Sequence, residues 1–549
     1  MRIPAVAACA GAAAAAVITL PGLGNGTLWD NSETAYGEVA REVLLFHNWI
    51  VLHINGVPWY VQPPLYFWIA ALCAKIFGIG SFALRLPAAL ATIGCGAVTA
   101  AAVARTSGLR TGVYAGIVLS TCLMQAVVGR LAIMDALLDL AVAAAIFAGF
   151  LALQEAKGTA LLAAAAAAGI GFLAKGLVAP VIVMLVLGVF AAWERLRRAP
   201  MHVPQVLWWV GALAVFLAIA LPWPIALYER QGMHALSYLI GHYTIGRYTG
   251  TIQNQSGPVW YYLPVIVLGF FPWIAFLPSA IAWCAKCLRN GDSGAATQLL
   301  RLSCVWIVVP LLFFSFARTK LPNYIALEFP ALAVLVAFYL DRAVERAGRS
   351  ALISTAAVPV ATVLVGIAIA LFVRDNRLAS GFHELADHLV YVGAAVLAGS
   401  LLTFALFSVR RRAAVAPVAL GAAMTVAVVL LALLALPQAE RFKPVPRFAA
   451  IINAQRKPSD AVSIDGIAGG NALLFYTRPR VYVIARKDED PDEPVVSAQS
   501  VICRHQRVWM ITPQREALRN PTFGRSREVI AQSGKAALLL YLGPKCSHG

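Results

Sequence analysis

Between Trp29 and Ile69 the chain gathers side chains that could do acid–base work: Asp30, Glu33, Glu38, Arg41 and Glu42, set among Tyr36, Trp59, Tyr60 and Trp68. A carboxylate beside an acceptor hydroxyl can take its proton, and Glu33 and Asp30 are the leading candidates. The competing reading is an amphipathic surface helix. Positions 33 to 46 have helical spacing, with Tyr36, Val39, Ala40, Val43 and Leu44 on one face, which leaves the charges to be solvated on the other. Asn31 or Ser32 could cap that helix, and acidic residues suit its N-terminus. A second set is spread downstream: Asp135, five residues after Arg130, then Lys175, His242, Arg247, Arg318, Lys320 and Tyr324. Asp135 fits an ion pair with Arg130 as well as it fits catalysis. His242 could hold a divalent metal ion with Glu33 or Asp30, although a His beside a Tyr is more often a hydrogen-bonding loop residue. No other cofactor is expected. Cys284 and Cys287 form a lone CxxC, which without a second pair is a poor metal site.

The elements that position these residues must lie in a membrane. The 549 residues are 60% hydrophobic and 13% charged, about half the ~25% charge of soluble domains, and the mean hydropathy is +0.75. The net charge of +18 sits mainly in short clusters between apolar runs, such as Arg195, Arg197, Arg198 and Arg410, Arg411, Arg412. That is the positive-inside signature of cytoplasmic loops and not a nucleic-acid stripe.

Apolar length predicts about thirteen spans, at 3–24, 82–104, 111–128, 136–154, 159–174, 177–193, 206–227, 260–282, 302–317, 322–340, 351–373, 388–408 and 413–436. The Ala-rich first span is read as uncleaved and dependent on packing against its neighbours. The run at 63–79 is read as an interfacial helix, with a full span as the alternative. With the N-terminus cytoplasmic, nearly every alternate loop is basic, and an odd number of spans places the tail outside. Lys175, Arg247, Arg318 and Lys320 then fall on the outer side against the bias. Such placement usually has a partner or a purpose, with snorkelling to headgroups as the bland alternative.

The expected organisation is a transmembrane domain over 1–440, with an outer catalytic loop at 25–80, and a soluble C-terminal α/β domain over 441–549. Strand-like runs at Ala461–Ile467, Val481–Ala485, Val508–Thr512 and Ala537–Leu542 support the latter. Cys503 and Cys546 could pair in an extracytoplasmic tail.

The motifs have a family likeness. The first outer loop resembles that of the GT-C glycosyltransferases related to protein O-mannosyltransferases and the bacterial aminoarabinose transferases of lipid A. The matching elements run in order: Glu33, Tyr36-Gly37-Glu38-Val39-Ala40-Arg41-Glu42, His47-Asn48-Trp49-Ile50-Val51, Asn55-Gly56 and Pro63-Pro64-Leu65-Tyr66-Phe67-Trp68. Downstream, Phe82 to Pro87, Asp135, Leu173-Ala174-Lys175-Gly176, His242 to Arg247 and Ser315 to Tyr324 continue the resemblance, which covers roughly residues 1–340. Two places depart. Ser32-Glu33-Thr34-Ala35 stands where the pattern has Asp-Glu and then Arg, and Val61-Gln62 stands where aminoarabinose transferases have Glu-Lys. The missing Lys removes a cation expected near the carrier phosphate and favours a more general sugar transferase.

The resemblance implies an all-α polytopic membrane protein of GT-C type with a small C-terminal α/β extracytoplasmic domain. It implies transfer of a sugar from a polyprenyl-phosphate carrier to a lipid, glycan or protein acceptor at the outer face of the bacterial inner membrane. Phosphate charge grows in such a transfer, so fixed cations aimed at it act where charge develops. Lys175, Lys320, Arg318 and Arg247 are the phosphate-binding candidates. Glu33, Asp30 and Asp135 are the catalytic carboxylates, and Tyr36, Arg41, Tyr60, His242 and Tyr324 the substrate-binding residues. The alternatives are a secondary transporter or flippase, against which the outer-loop placement of the polar residues speaks, and a non-catalytic assembly factor.

Overall fold

The computed structural model describes residues 2–549 apart from 30–31, 200, 252–254, 290–293, 347–348, 376–381, 467–470, 478–479, 485–495, 521 and 545–549. Contacts divide the chain into two compact units. The first holds Met1–Gly24, Tyr60–Ile69 and Arg85–Ala435, and the second Asn25–Trp59, Ala70–Leu84 and Leu436–Gly549.

The first unit is a bundle of apolar helices. Among the described residues nine helices are long and apolar enough to cross a membrane, and two bent pairs raise the number to eleven. The pairs are Val206–Ala220 with Pro222–Thr249, bent by 42°, and Val259–Gly269 with Trp273–Arg289, bent by 106°. Pro222 and Pro272 stand at the breaks, where a missing N–H and a ring clash interrupt the helical ladder. The chain is a multi-pass integral membrane protein. The expected thirteen spans are not reached by this criterion. One shortfall is the stretch at 111–128, which is broken at Cys122 into Leu109–Thr121 and Leu123–Val128. The expected span at 351–373 coincides with helix Arg349–Asp375, in which the described residues hold the apolar stretch Leu352–Leu364. Helix Leu65–Phe77 has 13 residues. At 1.5 Å per residue it extends about 20 Å, short of the ~30 Å hydrocarbon core, as an interfacial helix should.

Small residues let these helices approach. A Cβ on Gly11 would lie 2.4 Å from the Gly96 carbonyl oxygen, and one on Gly116 would lie 2.8 Å from the Gly11 Cα. Helix Arg2–Thr19 therefore meets Ser81–Ser107 and Leu109–Thr121 backbone to backbone, which is how an Ala-rich span gains dispersion contact in lipid.

The second unit is built on a mixed sheet. A two-stranded hairpin, β1 (His53–Ile54) and β2 (Val57–Pro58), belongs to the outer loop. The five-stranded sheet comprises β3 (Ala461–Ile464), β4 (Val481–Val483), β5 (Arg507–Pro513), β6 (Ser526–Ser533) and β7 (Ala536–Leu542), in the order β4-β3-β5-β7-β6. β4, β3 and β5 are parallel, and β5, β7 and β6 antiparallel. Alternate residues serve opposite faces. Val462, Ile464, Trp509, Ile511 and Leu538 pack with Val445, Phe448 and Ile452 of helix Pro444–Gln455. Val508, Met510, Leu539 and Tyr541 pack with Val501 and Ile502. β6 was not foreseen, because the only apolar run in its half-exposed SREVIAQS is the short Val529-Ile530-Ala531. Cys503 is disulfide-bonded, while Cys546 lies outside the described residues.

Candidate active site

In the first unit a helical hairpin makes the central contact. Helices Asp135–Glu155 and Gly158–Lys175 are joined by Ala156 and Lys157 alone, so they must run antiparallel as neighbours. Their lengths, 21 and 18 residues, bring the first residue of one beside the last residue of the other. The Lys175 ammonium accordingly donates to the Asp135 carboxylate. Both charges also suit their helix ends, the anion at an N-terminus and the cation at a C-terminus. Gly176, at φ 71°, stops the helix with its N–H on the Phe172 carbonyl, a backbone shape that a side chain resists. The alternative partner for Asp135 is excluded. Arg130 donates instead to the carbonyls of Ile18, Thr19 and Pro21 at 3.0, 2.9 and 2.8 Å, closing the end of the first helix.

Tyr324 and Arg247 extend this pair into an array. Pro322 opens the short 3-10 turn Pro322–Glu328, which presents Tyr324. The Lys175 Nζ lies 5.0 Å from the centre of the Tyr324 ring, and Arg247 Nη1 donates to the Tyr324 hydroxyl at 2.8 Å. The Arg247 guanidinium also stands 5.2 Å over the Tyr243 ring. Two cations thus meet one tyrosine beside the Asp135 carboxylate, a set that suits an anionic phosphate. The neighbouring turn is tied to the same stretch: the N–H groups of Arg318 and Thr319 donate to the carbonyls of Tyr248 and Arg247 at 3.0 and 3.1 Å.

The other expected members of this unit have partners of their own. Lys320 is buried and its ammonium donates to the Ala317 carbonyl, while burial lowers its proton affinity. Arg318 is exposed. His242 stacks on Tyr238 with ring centres 5.1 Å apart, and Tyr60 donates its hydroxyl hydrogen to Gln231 at 2.7 Å while facing Tyr238 and His234 edge-on. No group of three or more His, Cys, Asp or Glu side chains suited to a metal ion occurs among the described residues.

In the second unit the outer-loop helix runs Ser32–Phe46, and Asp30 lies outside the described residues. The competing reading of solvated charges fails here: Glu33, Glu38 and Glu42 are all buried, beside Val39, Ala40 and Val43. Each has a specific partner. Glu33 accepts the Trp29 N–H at 2.7 Å, Glu38 receives two bonds from Arg41 at 2.8 and 2.6 Å, and Glu42 accepts the Gly56 N–H at 2.9 Å. Burial, reinforced by the adjacent Glu38 charge, pushes the Glu42 carboxyl up to about 8. Arg41 is thus engaged with Glu38, and Tyr36 packs edge-on against Trp59 with centroids 6.3 Å apart.

Asp139 and Glu328 are among the buried carboxylates that escaped the sequence reading. Asp139 stands one turn beyond Asp135 and accepts from Gln125 Nε2 at 3.1 Å. Glu328 is fully buried, with no hydrogen bond to its carboxylate oxygens among the described residues. Each is an acidic residue within an apolar span, which is a signal in itself.

Comparison with solved structures decides the architecture. The chain aligns with ArnT from Cupriavidus metallidurans bound to undecaprenyl phosphate at a TM-score of 0.82, with 23% identity, covering 96% of this chain and 97% of that one. The fold is GT-C. The same protein in the apo state aligns at a TM-score of 0.80 with 22% identity over 96% and 97% of the two chains. Residues 61–225 match the family described as dolichyl-phosphate-mannose-protein mannosyltransferase. The chain is also 33% identical over 347 residues to the undecaprenyl phosphate-alpha-4-amino-4-deoxy-L-arabinose arabinosyl transferase of Edwardsiella ictaluri. It is 32% identical over 321 residues to the protein of the same description from Erwinia tasmaniensis. These alignments take in 61% and 57% of this chain and span only 59% and 55% of the length of those relatives. The resemblance drawn from the outer-loop motifs is therefore matched in both sequence and fold.

Proposed function

We propose that this chain is a glycosyltransferase that moves a sugar from an undecaprenyl-type polyprenyl-phosphate carrier to a lipid, glycan or protein acceptor at the outer face of the bacterial inner membrane. The observation that carries the reading is the Asp135–Lys175–Tyr324–Arg247 array, set in a GT-C bundle. In this reading Lys175 and Arg247 hold the carrier phosphate and stabilise its growing charge as the sugar leaves. Asp135 keeps the Lys175 ammonium in place, and Tyr324 spaces the two cations. Glu33 is the group assigned to an acceptor hydroxyl's proton, with its carboxylate oriented by the Trp29 N–H. Asp30 is its second candidate, and Arg318 and Lys320 serve the phosphate from the adjoining turn. Tyr36, Arg41, Tyr60 and His242 are the proposed substrate-binding residues. A divalent ion is not needed for the phosphate in this scheme, since the side chains supply the positive charge.

The names of the curated relatives make aminoarabinose, a pentose, the first sugar to test and lipid A the first acceptor. The orientation follows the basic-loop pattern, with the N-terminus cytoplasmic and residues 441–549 periplasmic. The test is transfer by the purified protein in proteoliposomes, from undecaprenyl phosphate-aminoarabinose to lipid A, read by mass spectrometry. Transfer that disappears in Lys175→Met supports the reading. Solute exchange without any transfer would favour the transporter alternative.

A further inference from the structure

The start of the outer loop is held residue by residue. Ser81 Oγ donates to the Gly26 carbonyl at 2.8 Å, and the Leu28 N–H donates to the Tyr476 hydroxyl at 2.7 Å. Lys443 Nζ donates to the Thr27 carbonyl at 3.0 Å, and the Trp29 N–H donates to Glu33 at 2.7 Å. The centre of this arrangement lies just past the last candidate span, which ends at Ala439. There Lys443 Nζ also donates to Glu440 Oε1 at 2.8 Å and sits 3.9 Å over the centre of the Trp29 ring. Thr27 Oγ1 donates to Glu440 Oε2 at 2.5 Å. Gly26 has φ 71°, and a Cβ there would lie 2.6 Å from Glu440 Oε1, so the carboxylate occupies the space a side chain would need.

We infer that Glu440 and Lys443 are positioning residues for the Glu33 carboxylate, acting through Thr27 and Trp29. The inference rests on the reading of Glu33 given above. The logic is mechanical. Glu33 takes its orientation from the Trp29 N–H, and Trp29 is fixed by the Lys443 ammonium on its ring face. Glu440 neutralises that ammonium and holds Thr27, so the four groups move as one. A cation over an indole face contributes about 0.5–2 kcal/mol, enough to hold one rotamer and too little to hold the fold. This gives the segment after the last span a task in the reaction: it sets the loop that carries the carboxylate. Sub-ångström placement is what such a task controls, and misplacement by about 1 Å costs up to ~100-fold in rate.

The test uses the full-length protein in proteoliposomes with undecaprenyl phosphate-aminoarabinose and lipid A, together with amide hydrogen exchange over residues 26–29. Lys443→Met is expected to lower kcat about tenfold or more with the donor KM within about twofold of the parent, and to speed exchange at Leu28 and Trp29. Lys443→Arg, which keeps the cation over the ring, should restore at least half of the rate. Arg515→Ala, whose side chain is 85% exposed in the same unit, should change neither readout. A Lys443→Met protein with parental kcat, beside an inactive Glu33→Gln protein, overturns the inference. If Glu33→Gln keeps full transfer, the reading of Glu33 falls and the positioning role falls with it. Unchanged exchange at Leu28 and Trp29 in Lys443→Met also overturns it.

Discussion

Replacing Lys175 by Met separates what its ammonium does for the fold from what it does for the carrier. The side chain is 15% exposed and that of Asp135 6%, so the ion pair is nearly dry. Removing one partner of a fully buried pair costs about 3–5 kcal/mol, and the slight exposure here brings this to about 2–4 kcal/mol, most of it the stranded Asp135 charge. Lys175→Met should therefore lower the thermal midpoint clearly, and Asp135→Asn together with Lys175→Met should recover most of the loss, because no charge is then left unpaired. Carrier binding should behave differently. A hydrogen bond to a charged group is worth about 1.5–3 kcal/mol, so the affinity for undecaprenyl phosphate should fall roughly 10–100-fold in Lys175→Met. It should stay low in the double variant. Thermal unfolding and fluorescence-detected binding in detergent measure the two quantities on the same samples. A double variant that binds the carrier within twofold of the parent would show that Lys175 serves only Asp135, and the phosphate assignment would be refuted.

Arg247→Lys should bind carrier less tightly by about tenfold and should not behave as a conservative change, because the guanidinium bonds Tyr324 and covers Tyr243 at once, which an ammonium on this backbone does not reproduce; a titration of undecaprenyl phosphate checks this. Tyr324→Phe should cost less than Arg247→Ala, since it removes only the hydroxyl between the cations; paired kcat and KM values will show the difference. Glu42 predicts a pH effect on stability. Its carboxyl is raised in the folded state, so between about 4.5 and about 8 the folded protein holds a proton that the unfolded chain has lost. The stabilisation is complete below about 4.5 and declines up to about 8, and Glu42→Gln should flatten the thermal midpoint across that window. A parental slope in Glu42→Gln would rule this out. Gly11→Leu should sharply reduce the yield of monodisperse protein, because the Gly96 carbonyl oxygen already stands 2.4 Å from any Cβ placed there.

The membrane class was legible because it depends on composition, and span length is a property of consecutive residues. The outer-loop helix was legible for the same reason, as Val39, Ala40 and Val43 repeat at helical spacing and are buried. The fate of its charges was not. A solvated face stayed open as the competing reading because the partners of Glu33, Glu38 and Glu42, the Trp29 N–H, Arg41 and the Gly56 N–H, are contacts that spacing does not reveal. Arg130 shows the same limit. Its place near Asp135 in the chain suggested an ion pair, whereas its guanidinium reaches back more than a hundred residues to Ile18, Thr19 and Pro21.

By itself the sequence determined that the chain lies in a membrane and the family it resembles. Those properties reside in residue type and short-range order, which survive without a fold. Only the tertiary structure decided which charges meet. A two-residue connection between helices of similar length turned Asp135 and Lys175, forty positions apart, into a pair. The knot at Thr27, Trp29, Glu440 and Lys443 joins positions separated by more than four hundred residues. Coulomb and hydrogen-bond terms act over a few ångströms, so only the packing that sets those distances can select among the many pairings the sequence allows.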